Sequence, residues 1–243
     1  MDSYLWYGGG LKKDFEKATT LQQNTAIQFH HLLDMVASAQ SKIRLRFSTS
    51  NPQDISLEVL ETMAKHANIC NYIHLPVQSG SNKILKKMNR LHSREEYFKL
   101  IDNIRKIIPD CGISHDMIAG FPTETEEMFQ NTLDIIEECQ LDWIHAFPFS
   151  PRPGTPAAKM PQNDNKLIKL RSKILRDVAK QRKIKHLENL VGKNIEVFVE
   201  KDNKGHSNQF APIKLIEKEI KSGQTITALI KSSDENFAHG IAV

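Results

Sequence analysis

The chain has 243 residues, enough for one large domain or for a medium one and a small one. Forty per cent of the residues are hydrophobic, and 33 lysines and arginines against 29 acidic residues leave a net charge of +4, an excess that permits an RNA partner without demanding one. No run is long and apolar enough to span a membrane and no signal peptide opens the chain, so a cytoplasmic location is expected by default, while Cys70, Cys111 and Cys139 are too widely spaced for a disulfide framework or a metal knuckle and read as buried thiols.

Residues 1–10 have no targeting character and read as a loop running out of something earlier. Phe29, Leu32, Leu33 and Val36 recur at helical spacing and predict a helix over residues 25–39. Ile43-Arg-Leu-Arg-Phe-Ser-Thr alternates and predicts a strand with a polar end at Ser48, Thr49, Ser50 and Asn51. Val59, Leu60, Met63 and Ala64 mark the next helix.

Residues 72–90 form the stretch around which the other elements are arranged. Ile73, Leu75 and Val77 alternate with His74, Pro76 and Gln78, as in a short strand with two different faces. Ser79-Gly80-Ser81 breaks the pattern, and Ser81 is placed to cap a helix carrying Ile84, Leu85 and Met88. In barrels of alternating strands and helices, ligands are held at that end of the strands, so Gln78, Ser79 and Ser81 are placed to touch something. A plain strand-to-helix turn is the alternative.

Tyr97, Leu100, Ile101, Ile104 and Ile107 predict a further helix, the run from Cys111 to Phe121 a strand, and Phe129, Leu133 and Ile136 a helix. Trp143-Ile-His-Ala-Phe-Pro-Phe-Ser is the last strand of this series, and Pro151-Arg-Pro-Gly-Thr-Pro is an irregular loop. The alternation implies an α/β fold with parallel strands in right-handed crossovers; four strands cannot close a barrel. Residues 165–187 read as a basic helix with Leu167, Leu170, Ile174, Leu175 and Val178 as its apolar stripe and Lys169, Arg171, Lys173, Arg176, Lys180, Arg182, Lys183 and Lys185 on its charged face. From about Leu190 onward, short alternating runs separated by turns such as Asp202-Asn-Lys-Gly and Ser222-Gly predict a small antiparallel β-barrel of OB-like size, a type that commonly binds nucleic acid.

Four segments resemble the tRNA methylthiotransferases, which are radical S-adenosylmethionine enzymes. They are Arg44-Leu-Arg-Phe-Ser-Thr-Ser-Asn-Pro, the central His-Leu-Pro-Val-Gln-Ser-Gly-Ser with Met88-Asn-Arg90, Asp116-Met-Ile-Ala-Gly-Phe-Pro-Thr-Glu-Thr, and Phe149-Ser-Pro-Arg-Pro-Gly-Thr-Pro-Ala-Ala. The resemblance implies a partial radical S-adenosylmethionine β/α barrel with a basic linker helix over residues 1–188, and an RNA-binding barrel similar to a TRAM domain over residues 189–243. It implies S-adenosylmethionine as cofactor and two 4Fe–4S clusters in the intact family. The family's Cys-x-x-x-Cys-x-x-Cys loop is not found in this chain, so a C-terminal piece lacking both cluster sites is expected, with no metal ligands of its own.

The implied reaction is methylthiolation at C2 of an N6-modified adenosine beside the tRNA anticodon. Up to about Glu138 the text resembles the branch acting on isopentenyl-adenosine; beyond it, His145-Ala-Phe-Pro-Phe-Ser-Pro-Arg and Lys159-Met-Pro-Gln resemble the threonylcarbamoyl-adenosine branch. The alternatives are a non-catalytic RNA-binding fragment and a methylthiotransferase acting on a ribosomal protein. An ordinary sugar- or phosphate-handling barrel would want eight strand–helix units. The residues expected at the cofactor are Ser48, Ser50, Gln78, Ser79, Ser81, Gly120 and Glu124, the glycine leaving room for a flat ring against backbone. Those expected at the substrate are Arg90, Arg152, Lys180 and Arg182, through contacts with carboxylate or phosphate. A capping or turn role is the alternative for each. No catalytic residue is singled out. The expected partner is tRNA, and the chain is expected to be a monomer.

Overall fold

A computed structural model of the chain describes residues 17–48, 51–216 and 220–243; the opening residues 1–10 and the site candidate Ser50 lie outside them. Helices α1 (Thr20–Thr25) and α2 (Phe29–Ala39) come first. The helix expected over residues 25–39 thus starts later. Gln28 is extended (φ −97°, ψ 175°), and the His31 ring nitrogen Nδ1 accepts its N–H at 3.1 Å, so helical bonding begins only at Phe29.

The strand expected from Ile43 is reduced to one parallel bridge, Leu45 to Ile69. It consists of the Leu45 N–H on the Asn68 carbonyl (2.7 Å) and the Cys70 N–H on the Leu45 carbonyl (2.8 Å). The flanking arginines reach the C-terminal part of the chain. Arg44 bonds Glu196 at 2.9 Å and the His206 carbonyl at 3.1 Å, and Arg46 lies 5.2 Å and 4.1 Å from the ring centres of Tyr72 and Phe210.

Next come α3 (Leu57–Lys65), β1 (Tyr72–His74), α4 (Asn82–Lys87), α5 (Arg94–Ile107), β2 (Gly112–Ala119), α6 (Glu126–Glu138), β3 (Trp143–Pro148) and the single turn α7 (Pro156–Lys159) inside the loop expected to be irregular. The strands form a parallel sheet in the order β1-β2-β3, the partial barrel expected, with three named strands rather than four. Strand β1 stops short of Pro76, a residue that central strands disfavour. The Leu75 N–H still reaches the Ser114 carbonyl at 2.7 Å, and pairing resumes one residue out of register, where Gln78 bridges Met117.

One face of the sheet carries Ile73, Leu75, Val77, Ile113 and Met117, all 0 % exposed, against Leu60, Met63, Tyr97, Ile104, Phe129 and Ile136 from the helices. Each such side chain contributes about 1.5–3 kcal/mol of burial. On the other face the register aligns His74 with Ser114, Asp116 with His145 and Ile118 with Phe147. That face is partly open, and His145 and Phe147 are exposed.

Helix α8 (Asn165–Glu188) comes after this sheet, and its inward stripe differs from the one expected. Ile168, Arg171, Ser172 and Leu175 are buried, while Leu170 is 55 % exposed. Arg171 can be buried because it finds two carboxylates, those of Glu124 and Glu126. At its other end Leu187 joins a second core with Val197, Val199, Ile213, Leu215, Ala228 and Ile230. That core fills a closed five-stranded barrel of β4 (Asn194–Lys201), β5 (Lys204–Ser207), β6 (Pro212–Leu215), β7 (Thr225–Ser233) and β8 (Ala238–Ala242), ordered β4-β5-β6-β8-β7. Its β6–β8 pair is parallel and the other pairs are antiparallel. Among the described residues no helix is long and apolar enough to cross a membrane.

Candidate functional site

The turn after β1 is built around Gln78, whose backbone is left-handed (φ 71°) and whose residue is only 6 % exposed. The next three residues face α6. The Ser79 and Thr132 hydroxyls lie 3.3 Å apart, the Gly80 N–H donates to the Thr132 hydroxyl at 3.0 Å, and the Ser81 N–H donates to the Ser79 hydroxyl at 3.2 Å. A Cβ on Gly80 would stand 2.0 Å from the Asn131 carbonyl oxygen, so the glycine is required by the approach of α6. Ser81 occupies the N-cap of α4, but its hydroxyl makes no capping bond.

Helix α4 ends in a Schellman turn. Asn89 is left-handed (φ 57°), its N–H reaches the Lys86 carbonyl at 3.1 Å, and the Arg90 N–H reaches the Leu85 carbonyl at 2.9 Å. This turn explains the Met88-Asn-Arg spacing. Burial lowers the basicity of the Arg90 guanidinium, and the charge of Asp116 opposes that.

At the C-terminal end of the sheet Gln78, Asp116, Ile118, Phe147, Phe149 and Arg152 line a cavity of about 430 Å³. Of the residues expected at a site, Gln78 and Arg152 therefore share one cavity, and Arg90 is coupled to it through Asp116. Ser79 is buried against Thr132 of α6 and Ser81 is buried beside Ser79 instead. Ser48 is exposed beyond the Leu45 bridge.

Gly120 and Glu124 pack against α8. Gly120 is left-handed (φ 76°), and the place its Cβ would take is filled by Ile168, with Cγ1 2.6 Å away. Glu124 Oε2 accepts the Gly120 N–H at 2.8 Å and an Arg171 N–H at 2.9 Å, and Arg171 also bonds Glu126 at 2.8 Å. Burial raises the Glu124 pKa, although the Gly120 N–H and Arg171 oppose the shift. Among the described residues its Oε1 has no hydrogen-bond partner.

A second cavity, of about 600 Å³, lies between the sheet, α8 and the small barrel; Tyr72, Trp143, His145, Arg176, Lys183 and Phe210 are on its walls. Lys180 also lines it but pairs with Glu235. Arg182 is committed elsewhere. Its Nε donates to the Leu141 carbonyl at 2.9 Å, and its guanidinium lies 3.6 Å from Glu137 and 3.8 Å from Asp142, which leaves it 11 % exposed. It holds α8 to the loop before β3.

Between the two cavities runs a polar chain missed in the sequence. The Tyr72 hydroxyl lies 2.6 Å from the Ser114 hydroxyl, which lies 2.6 Å from His74 Nδ1, and His74 Nε2 is 3.4 Å from Asp116. Burial opposes ionisation of Asp116, but the hydrogen bond from His74 and the nearby imidazoles outweigh it and hold the carboxyl below its ordinary range. The signal available was the alternation of His74 with Ile73, Leu75 and Val77; the cross-strand register that adds Ser114, Asp116 and His145 is not written in any one segment.

The cysteines do not fit an iron–sulfur cluster, which needs thiolates converging from one loop or cleft. Cys70 precedes β1, Cys111 precedes β2 and Cys139 caps the end of α6; each is buried and free. Burial pushes the thiols of Cys111 and Cys139 up to about 12.

Residues 13–136 match the radical SAM superfamily. Over 206 residues the chain is 56 % identical to a tRNA-2-methylthio-N(6)-dimethylallyladenosine synthase of Christiangramia forsetii, covering 84 % of this chain and 43 % of that protein. The protein of the same name from Flavobacterium psychrophilum is 46 % identical over 252 residues, covering 100 % of this chain and 52 % of the relative. The chain thus spans about half the length of the curated relatives it matches. Among solved structures, coproporphyrinogen III oxidase from Escherichia coli has a TM-score of 0.48 at 18 % identity, over 74 % of this chain and 45 % of that one.

Proposed function

The chain belongs to the radical SAM superfamily, and on that premise we propose that it is part of a tRNA methylthiotransferase acting on N6-dimethylallyladenosine beside the anticodon. The observation that carries this reading is the match to synthases of that name along the full chain, beyond Glu138 as well as before it. It favours the dimethylallyl substrate over the threonylcarbamoyl one and over a ribosomal protein. The enzyme would work in the cytoplasm, where tRNA is found.

Two parts of the structure support a division of labour. The strand-end cavity joins an amide (Gln78), a carboxylate (Asp116), a guanidinium (Arg152) and the apolar walls of Ile118, Phe147 and Phe149. That mixture suits S-adenosylmethionine, an amino acid joined to a nucleoside. When bound to its cluster, that cofactor supplies radical chemistry. The residues of this chain bind and orient it, and the cysteines here take no part. Gln78 and Arg152 hold the cofactor; the basic, aromatic second cavity and the small barrel hold RNA. Ser79, Ser81, Gly120, Glu124 and Arg182 position the elements that carry them. On this reading the chain by itself contributes binding rather than cluster chemistry.

Titration calorimetry of the full chain with S-adenosylmethionine tests the cofactor half. Binding that weakens at least tenfold in both Gln78→Ala and Arg152→Ala is the expected result; unchanged affinity in the two variants removes the cavity from the cofactor site. An anticodon stem-loop with and without the dimethylallyl group tests the substrate half. Equal affinity for the two stem-loops would overturn the substrate assignment.

A further inference from the structure

We propose that His74, Asp116 and His145 form a site for a divalent first-row transition cation, such as Zn²⁺, on the open face of the sheet. The three residues come from three adjacent strands and share one face because His74 pairs with Ser114 and Asp116 pairs with His145 in the parallel register. One ligand atom from each lies within 4.8 Å of the others, the one such group among the described residues. The proposal departs from the expectation of no metal ligands, which rested on cysteine spacing.

The geometry suits a small cation. Tetrahedral zinc bound at about 2.0–2.1 Å needs ligand atoms roughly 3.3 Å apart. His74 Nε2 and the Asp116 carboxylate already stand at 3.4 Å. His145 is exposed and its ring centre is 6.1 Å from that of His74, so a change of side-chain rotamer closes the remaining gap. The ring of His74 is also oriented for the task. Its Nδ1 lies 2.6 Å from the Ser114 hydroxyl, which is itself 2.6 Å from the Tyr72 hydroxyl. On metal binding the Nε2 proton that bonds Asp116 in the metal-free chain is replaced by the cation, and Nδ1–H then donates to Ser114, the outer-shell arrangement by which metal-binding histidines are fixed.

Two imidazoles and one carboxylate favour zinc, nickel, cobalt or iron(II) over calcium and magnesium, which prefer all-oxygen sites. The side-chain exposures of 18 % for His74 and 26 % for Asp116 leave the cluster reachable while limiting competition from water. Arg90, whose basicity the charge of Asp116 raises, and Arg152, which shares a cavity with Asp116, work against a cation. The site shares Asp116 with the strand-end cavity and His145 with the second cavity, so it is tested by metal binding alone, in the absence of S-adenosylmethionine and RNA.

The test is titration of the metal-free full chain with ZnCl₂ alone, read by calorimetry, and with CoCl₂, read by absorption. One saturable equivalent is expected, with cobalt ligand-field bands and no thiolate charge-transfer band. His145→Ala and Asp116→Asn should each weaken zinc binding at least tenfold, and Ser114→Ala by about tenfold, the lower end of outer-shell effects. Because His145 is exposed, its alanine variant keeps the fold and decides the matter if Asp116→Asn does not. Absence of a saturable equivalent, undiminished affinity in His145→Ala, or a thiolate band in the cobalt spectrum would each overturn the proposal.

Discussion

Arg171 donates to Glu124 at 2.9 Å across the joint between α8 and the end of β2, and the two side chains are 3 % and 0 % exposed. Removing one partner of such a pair leaves an uncompensated buried charge, which costs about 3–5 kcal/mol. Arg171→Ala should lose about that much at pH 7, measured by urea unfolding. The Glu124 pKa is already raised in the folded chain by burial and rises further without Arg171. A carboxyl with a raised folded-state pKa favours folding when protonated, and that contribution is lost as pH rises through the raised value. The variant's deficit should therefore shrink at pH 5. Arg171→Met combined with Glu124→Gln should recover part of the loss. An Arg171→Ala protein as stable as the parent at pH 7 would show that the pair is not buried in solution.

Two glycines separate close approach from backbone freedom. A Cβ on Gly80 would meet the Asn131 carbonyl oxygen at 2.0 Å, and backbone cannot swing aside as a side chain can. Gly154 is left-handed (φ 84°) with nothing within 4 Å of its Cβ position. Gly154→Ala should cost about 1 kcal/mol, the strain of a left-handed non-glycine residue alone. Gly80→Ala should cost more than about 3 kcal/mol, in the range of severe overpacking. Thermal melts of the two variants side by side give the ranking, and equal losses would refute the packing account of Gly80.

The helix–strand alternation was legible because apolar residues recur at clear periods: Leu60 and Met63 in α3, Ile113 and Met117 in β2, Phe129, Leu133 and Ile136 in α6. Strand β5 was not. Its inward positions are Gly205 and Ser207, which carry no hydrophobic signal, and Asp202-Asn203 before it reads as a turn. The structure shows both: left-handed backbone at Asp202 and Asn203 (φ 53° and 56°) makes the tight hairpin from β4 to β5. Arg171 was placed on the solvent face because its partners stand 45 and 47 positions away in sequence. At the site, Gln78 and Arg152 were expected at strand ends, one at the cofactor and one at the substrate; that they line one cavity is seen only in the fold. The His74, Asp116 and His145 grouping required a register that only pairing across strands supplies.

His115 is buried beneath the sheet, with its Nδ1 against the Tyr97 hydroxyl. Burial pushes its pKa down to about 3. The unfolded chain therefore takes up a proton at this residue from pH 6.5 downward, while the folded chain does not until about 3. Stability from this group is complete above about pH 6.5 and falls as the pH drops toward 3, at up to about 1.4 kcal/mol per pH unit. Unfolding free energies measured between pH 7 and pH 4.5 should show that slope, and His115→Gln should flatten it. An unchanged slope in the variant would assign the acid sensitivity to other groups.

RNA binding should depend on the second cavity in a charge-resolved way. Arg176 and Lys183 line it, whereas Arg182 is engaged by Leu141, Glu137 and Asp142. A side chain that contacts phosphate releases counterions, so its loss lowers the salt slope of binding by about 1. Arg176→Ala and Lys183→Ala should each do so while leaving the melting temperature near that of the parent. Arg182→Ala should instead lower the melting temperature, because it leaves Asp142 with less compensation beside His186. Glu235 supplies the converse test. It holds Lys180 in an ion pair at the cavity rim, so Glu235→Gln should release the lysine and strengthen tRNA binding with a steeper slope. Aromatic groups suited to stacking on bases are few in the small barrel, Phe210 being already engaged by His206 at 4.4 Å and by Arg46 at 4.1 Å, so the preference for tRNA over unrelated single-stranded RNA should be modest. Filter-binding isotherms across a salt series give the slopes. Unchanged slopes in the first two variants together with no gain in Glu235→Gln would remove this cavity from the RNA-binding surface.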